Sequence, residues 1–174
     1  MEKELPKRKH PRLTNFDYGS AGTYFVTICT QNRQCLLSHI VGRGLAPAEI
    51  KYEVQYTEYG RIAEQQLMLL EKRYPYLEVY EYVIMPNHIH AIFWLHRETK
   101  GASPRPTVED IVCAYKSLTT RECRQQGFKG KLFQSSFYEH IVRNQEDFAE
   151  TAKYIRSNPI RWAKHAMCSE KQNN

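Results

Sequence analysis

The chain has no run of apolar residues near the ~18 that a membrane-spanning helix needs. Its first residues, MEKELPKRKHPR, carry charges with no apolar stretch behind them. Both absences argue against a membrane partner and a secretory signal, and set the expectation of a cytoplasmic location. CxxC pairs are missing too. The five cysteines, at positions 29, 35, 113, 123 and 168, are odd in number and scattered, which points to reduced thiols and away from a disulfide framework. No internal repeat and no low-complexity segment is present. What remains is a 174-residue chain with 41% hydrophobic and 25% charged residues, enough for one domain with its own core.

The formal charge is +6 and the pI about 9.0. Basic residues gather in an N-terminal arm (Lys3, Lys7, Arg8, Lys9, Arg12), between Lys116 and Lys131, and between Lys153 and Lys164. Any one such cluster reads as a solvated face. Three of them around one candidate site bring a polyanionic partner, DNA or RNA, level with that reading.

Hydrophobic periodicity orders the chain. TYFVTICTQ reads as a buried strand, rich in β-branched and aromatic residues. LLSHI and YEVQY are short pieces that can pair as a hairpin. A helical period follows in TEYGRIAEQQLMLLEKRY, with Thr57 as its cap. LEVYEYVIM and HIHAIFWL are strands joined tightly through Pro86-Asn87, hence antiparallel neighbours. TVEDIVCAYKSLTTRECRQQ opens with the capping pair Thr107 and Asp110 and forms a second helix. KGKLFQSSFYEHIVR supplies a turn and a strand. NQEDFAETAKYIRSNPIRW is a third helix that begins at Asn144 and is expected to stop at Asn158-Pro159. The order is the split β-α-β-β-α-β pattern of a ferredoxin-like α+β sandwich with a central antiparallel sheet. Its expected divisions are a basic arm over 1–21, one catalytic domain over 22–165, and a flexible tail over 166–174.

The strongest chemical signal is VIMPNHIHAIFWL. Alternation puts His88, His90, Ile92 and Trp94 on one face of the strand and Ile89, Ala91, Phe93 and Leu95 on the other. Two imidazoles just past a turn can share one divalent cation. Alternatively, one imidazole faces solvent and the other bonds a backbone carbonyl. A reacting group and a third ligand have to come from elsewhere, and the helix after the hairpin is the first place to look. There Val108, Ile111, Val112, Tyr115, Leu118, Thr119 and Glu122 recur at three- and four-residue steps. An inward helical tyrosine is usually core, so spacing alone makes Tyr115 a weak nucleophile candidate.

VIMPNHIHAIFWL nevertheless resembles the His-hydrophobic-His (HUH) motif of single-tyrosine transposases. AYKSLTTREC resembles the helix that carries their one nucleophilic tyrosine. Further stretches resemble the branch of REP-associated tyrosine transposases: RLTNFDYGSAGTYFVTICTQNRQCLLSHIVG, TEYGRIAEQQ, GKLFQSSFYEHIVRN and YIRSNPIRW. The likeness runs from about Arg12 to Trp162. It implies a DNA nickase and strand-transferase on the ferredoxin-like sheet, acting through a 5′-phosphotyrosine on REP-like hairpin or single-stranded DNA. His88 and His90 match the metal ligands, Tyr115 the nucleophile, and Mg²⁺ or Mn²⁺ the ion. Related insertion-sequence enzymes place a glutamine one helical turn after the tyrosine as third ligand. Thr119 stands there in this chain, and Glu122 is the replacement to test first. The likeness makes the N-terminal arm (Lys7, Arg8, Lys9, Arg12) a DNA contact, with Lys116 beside the phosphate and His140 and Arg143 in DNA contact or sheet support. It leaves monomer and homodimer open. A hairpin-binding module that does not cleave is the alternative, favoured by Thr119; a hydrolase that activates water on His88 and His90 is the third.

Overall fold

A computed structural model describes residues 21–43, 51–96 and 106–171, with side chains in the last helix as far as His165. The basic arm, including Lys7, Arg8, Lys9 and Arg12, lies outside the described residues. Strand β1 (Gly22–Cys29) leads into a hairpin of β2 (Ser38–Arg43) and β3 (Lys51–Tyr56). Helix α1 (Glu58–Arg73), strands β4 (Leu77–Met85) and β5 (His88–Leu95), helix α2 (Val108–Gln125), strand β6 (Tyr138–Val142) and helix α3 (Gln145–Lys171) follow. The main sheet has the order β4-β5-β1-β6, and all its neighbouring pairs are antiparallel. With α1 and α2 as the crossovers, this is the expected ferredoxin-like sandwich. The β2–β3 hairpin is an insertion after β1, and α3 is an addition after β6.

Local chemistry sets the boundaries. Thr57 Oγ1 accepts the Gly60 N–H at 3.1 Å and so caps α1. At α2 the Thr107 hydroxyl accepts the Asp110 N–H at 3.2 Å, while the Asp110 carboxylate accepts the Thr107 N–H at 2.8 Å, closing a capping box. Asn144 Oδ1 accepts the Asp147 N–H at 2.8 Å at the start of α3. The turn at Pro86-Asn87 leaves Met85 opposite His88, as a two-residue connection demands.

Alternation then divides the core in two. Tyr24, Val26 and Ile28 of β1 and Ile89, Ala91, Phe93 and Leu95 of β5 pack with Ala63, Leu67 and Leu70 of α1 and with Ile111, Val112 and Tyr115 of α2. The opposite face, carrying Phe25, Val83, Met85 and Ile92, packs with Ala152 and Ile155 of α3, with Ile40 and Val54 of the hairpin at its margin. Both faces of the central strands are therefore covered.

One expectation is corrected by α3. Pro159 does not end it: the helix runs through the proline to Lys171. Proline costs the helix one backbone hydrogen bond and crowds the preceding turn. Here residues beyond it still gain burial, since Ala163 is buried and Trp162 packs against the second cluster. That burial offsets the local loss.

Gly60 brings α1 against the backbone of Leu37, the residue just before β2. A Cβ there would overlap the Leu37 carbonyl oxygen, which also accepts the Thr57 N–H at 3.0 Å. The obstacle is backbone already held by a hydrogen bond. Gly60→Ala is expected to cost about 1–3 kcal/mol, towards the upper end, because backbone cannot rotate away as a side chain can; urea unfolding measures it.

Candidate functional site

His88 and His90 lie on the α3 face of β5, near the centre of the sheet, where His90 pairs with Thr27 on one side and Val83 on the other. Both are buried. His88 Nδ1 meets Asn87 Oδ1 at 2.7 Å, so that nitrogen carries the proton and donates it. His90 Nδ1 meets Thr27 Oγ1 at 2.8 Å. The rings stand 4.5 Å apart between centroids, inclined by 73°. His90 Nε2 is buried and has no hydrogen-bond partner. A buried imidazole nitrogen left without a partner costs free energy unless something absent from the structure binds it. In the tautomer that donates from Nδ1 to the Thr27 hydroxyl, Nε2 carries the lone pair and is the nitrogen that can take a ligand.

Burial, with the Arg33 charge nearby, lowers the His88 pKa to about 4; a hydrogen bond to the Asn158 side chain opposes the shift. Burial, then the neighbouring His88 and Arg33, lowers that of His90 to about 3. Both rings are thus neutral at pH 7, the form that binds metal. The linkage has a definite sign. In the unfolded chain these groups take up protons below about pH 6.5, while in the folded chain they resist until about pH 4, so folding stability falls as pH drops through that window. Urea midpoints in chelator should decline between pH 7 and pH 4.5; substituting both histidines by asparagine should flatten that part of the decline.

Helix α3 lies over the pair. Its residues at steps of three and four, Asp147, Thr151, Tyr154, Asn158 and Trp162, form one stripe. The Tyr154 ring sits 5.1 Å from that of His90 and is 37% exposed. Asn158 is buried and hydrogen-bonded to His88. The Trp162 ring lies 6.0 Å from His88, and the Arg161 guanidinium stacks 5.3 Å from the Tyr154 ring centre. Below Tyr154 opens a cleft of 410 Å³, bordered by Phe25, Tyr138 and His140. His140 Nε2 is held by the Asp147 carboxylate at 2.9 Å.

Tyr115 is not part of this assembly. Its ring is fully buried on the other face of the sheet, and its hydroxyl donates to the Ala63 carbonyl of α1 at 3.0 Å. Burial raises its pKa far above that of a free phenol. Thr119 Oγ1 donates to the Tyr115 carbonyl at 2.8 Å, and Glu122 pairs with Arg121 at 3.1 Å, both on α2. Lys116, from the same helix, donates to the Ser135 carbonyl at 2.8 Å. The expected convergence of Tyr115, Thr119, Glu122 and Lys116 on the histidines is therefore corrected: the sheet separates them. Arg143 follows β6 on the histidine side, where its N–H donates to Asp147 at 3.1 Å.

Among the described residues no group of three or more His, Cys, Asp or Glu gathers to hold an ion. The side chains that can do so are His88, His90 and the amide of Asn158. No described helix is long and apolar enough to cross a membrane.

No family model matches the chain. An uncharacterized protein of Haemophilus influenzae is 29% identical to it, over 89% of each chain. The REP-associated tyrosine transposase of Escherichia coli K12 is 24% identical, over 84% of this chain and 73% of its own. A solved REP-associated tyrosine transposase bound to a REP hairpin shares the fold at a TM-score of 0.58 and 21% identity, over 86% of this chain and 73% of its own. The chain resembles the REP-associated tyrosine transposases.

On α2 the resemblance expects a tyrosine and, one turn later, an amide ligand; Tyr115 stands at the first place and Thr119 at the second. The same spacing is satisfied on α3, where Tyr154 is followed at i+4 by Asn158. That signal was readable in YIRSN. Arg33 was missed for a different reason: it lies in a turn with Asn32, both with left-handed φ of 53–54°, and no motif announces its approach to the histidines.

Proposed function

We propose that this chain is a metal-dependent transposase that nicks single-stranded DNA beside a REP-like hairpin and rejoins strands through a 5′-phosphotyrosine, with Tyr154 as nucleophile. The observation that carries the reading is the half-exposed Tyr154 phenol, at a cleft mouth beside a buried imidazole nitrogen without a partner.

The residues fit a divalent ion, Mg²⁺ or Mn²⁺. His88 and His90 are neutral and oriented by Asn87 and Thr27, and the Asn158 amide oxygen is the third donor. Bound there, the ion supplies positive charge against the scissile phosphate. The chain does the rest. Arg161 on the ring of Tyr154 holds the phenol over the cleft. Tyr154 oxygen bonds to phosphorus as the bond from phosphorus to the 3′ oxygen breaks, and the phenolic proton is in net terms transferred to the departing 3′ hydroxyl. Another 3′ hydroxyl reverses the reaction without ATP, because the phosphotyrosyl link is itself a phosphodiester. The non-cleaving alternative rested on Thr119, which stands on the other side of the sheet from the histidines and no longer bears on it.

The test is a labelled single-stranded hairpin with unpaired flanks, incubated with protein and Mn²⁺. A covalent protein–DNA adduct that chelator suppresses is expected. Hairpin binding with no adduct in either Mg²⁺ or Mn²⁺ would select the non-cleaving module instead.

A further inference from the structure

The cleft under Tyr154 is larger than a phosphodiester needs and carries the wrong charge to attract one. Its 410 Å³ is bordered by the carboxylates of Asp147 and Glu150, and carboxylates repel phosphate. Asp147 is already engaged with His140 and with the Arg143 N–H. Glu150, exposed on α3 one turn before Tyr154, sits at the same opening. Across from it, on edge strand β6, Tyr138 is 49% exposed and stands edge-on to Phe25 at 6.5 Å between ring centres. The cleft thus has an aromatic wall, an apolar floor in Phe25, and an acceptor at its rim.

Extending the reading above, we infer that this cleft receives one unpaired nucleobase adjacent to the bond that Tyr154 attacks. The base stacks on Tyr138 and turns an exocyclic amino group towards Glu150. Stacking suits any base, because every base has a π-face. The carboxylate supplies the selection. Adenine, cytosine and guanine each present an amino donor that a carboxylate accepts, whereas thymine offers carbonyl oxygens on either side of its single N–H. A cleft of a few hundred Å³ is the size that small planar ligands occupy.

2-Aminopurine tests the inference, since it carries an amino group and loses fluorescence when stacked. It is placed in turn at each unpaired position of the flanked hairpin, and the protein is titrated in chelator so that no cleavage occurs. One position should be quenched. Tyr138→Ala should abolish that quenching and weaken binding about 5- to 150-fold, while Tyr138→Phe, which keeps the ring, preserves both. In unlabelled DNA, thymine at that position should bind worse than adenine, and Glu150→Ala should narrow the gap. Absence of a quenched position, quenching that survives in Tyr138→Ala, or equal binding of thymine and adenine by the unmodified protein would each overturn the pocket. The outcome separates from that of the adduct assay. Tyr138-dependent quenching without an adduct keeps the pocket and rejects the transposase, and an adduct without such quenching does the reverse.

Discussion

Tyr154→Phe is expected to abolish the covalent adduct, lowering its rate at least about a thousandfold, while Tyr115→Phe leaves it within about twofold of the unmodified protein. Each substitution removes one oxygen and little else. On α3 that oxygen belongs to a ring 5.1 Å from His90 and open to the cleft. On α2 it is sealed under α1 and bonded to a backbone carbonyl. To reach a phosphodiester, the Tyr115 hydroxyl would have to leave a closed core and pass through a hydrogen-bonded sheet whose second face is occupied by α3. The Tyr154 ring need only rotate. Denaturing gel electrophoresis of labelled DNA reads both variants directly. An adduct undiminished in Tyr154→Phe and lost in Tyr115→Phe would sink the assignment and restore the one first suggested by α2.

Tyr115→Ala, by contrast, is expected to act on stability, by about 3–5 kcal/mol. The side chain is among the largest fully buried ones and packs against Phe133 at 6.1 Å between ring centres. Its removal leaves a cavity between α1 and α2 and takes away the side-chain donor that supplements the helical hydrogen bond of the Ala63 carbonyl. Tyr115→Phe keeps the packing and loses only the hydrogen bond, so about 1 kcal/mol is expected. The ratio between the two, read from urea unfolding, separates a core tyrosine from a catalytic one. A catalytic side chain held open to substrate would show a small stability loss in both.

Part of this arrangement is legible in the amino-acid sequence. Element order, the caps at Thr57, Thr107 and Asn144, the tight turn at Pro86-Asn87 and the two faces of β5 all follow from rules spanning a few residues. The placement of Tyr115 was legible too, in two steps. Right-handed crossovers put α1 and α2 on the same face of a ferredoxin-like sheet. The wholly apolar set Ile89, Ala91, Phe93 and Leu95 is the one suited to lie against two amphipathic helices. The histidines must then face the other way, and an inward tyrosine on α2 cannot meet them. Helical periodicity shows which residues share a stripe; it does not show which side of the sheet the stripe covers.

By itself, then, the chain's order of residues determined the sandwich, the anchoring of the histidine pair beside a turn, and the spacing of Tyr154 and Asn158 on one helical face. Only the tertiary structure decided that this face closes over the histidines. Nothing local commits α3 to cross the open side of the sheet, and Pro159 argues against its continuing at all. The helix is carried there by long-range burial, of Ala152, Ile155 and Trp162 against Phe25, Val83 and Ile92. Such burial depends on residues more than fifty positions apart, which no local pattern encodes.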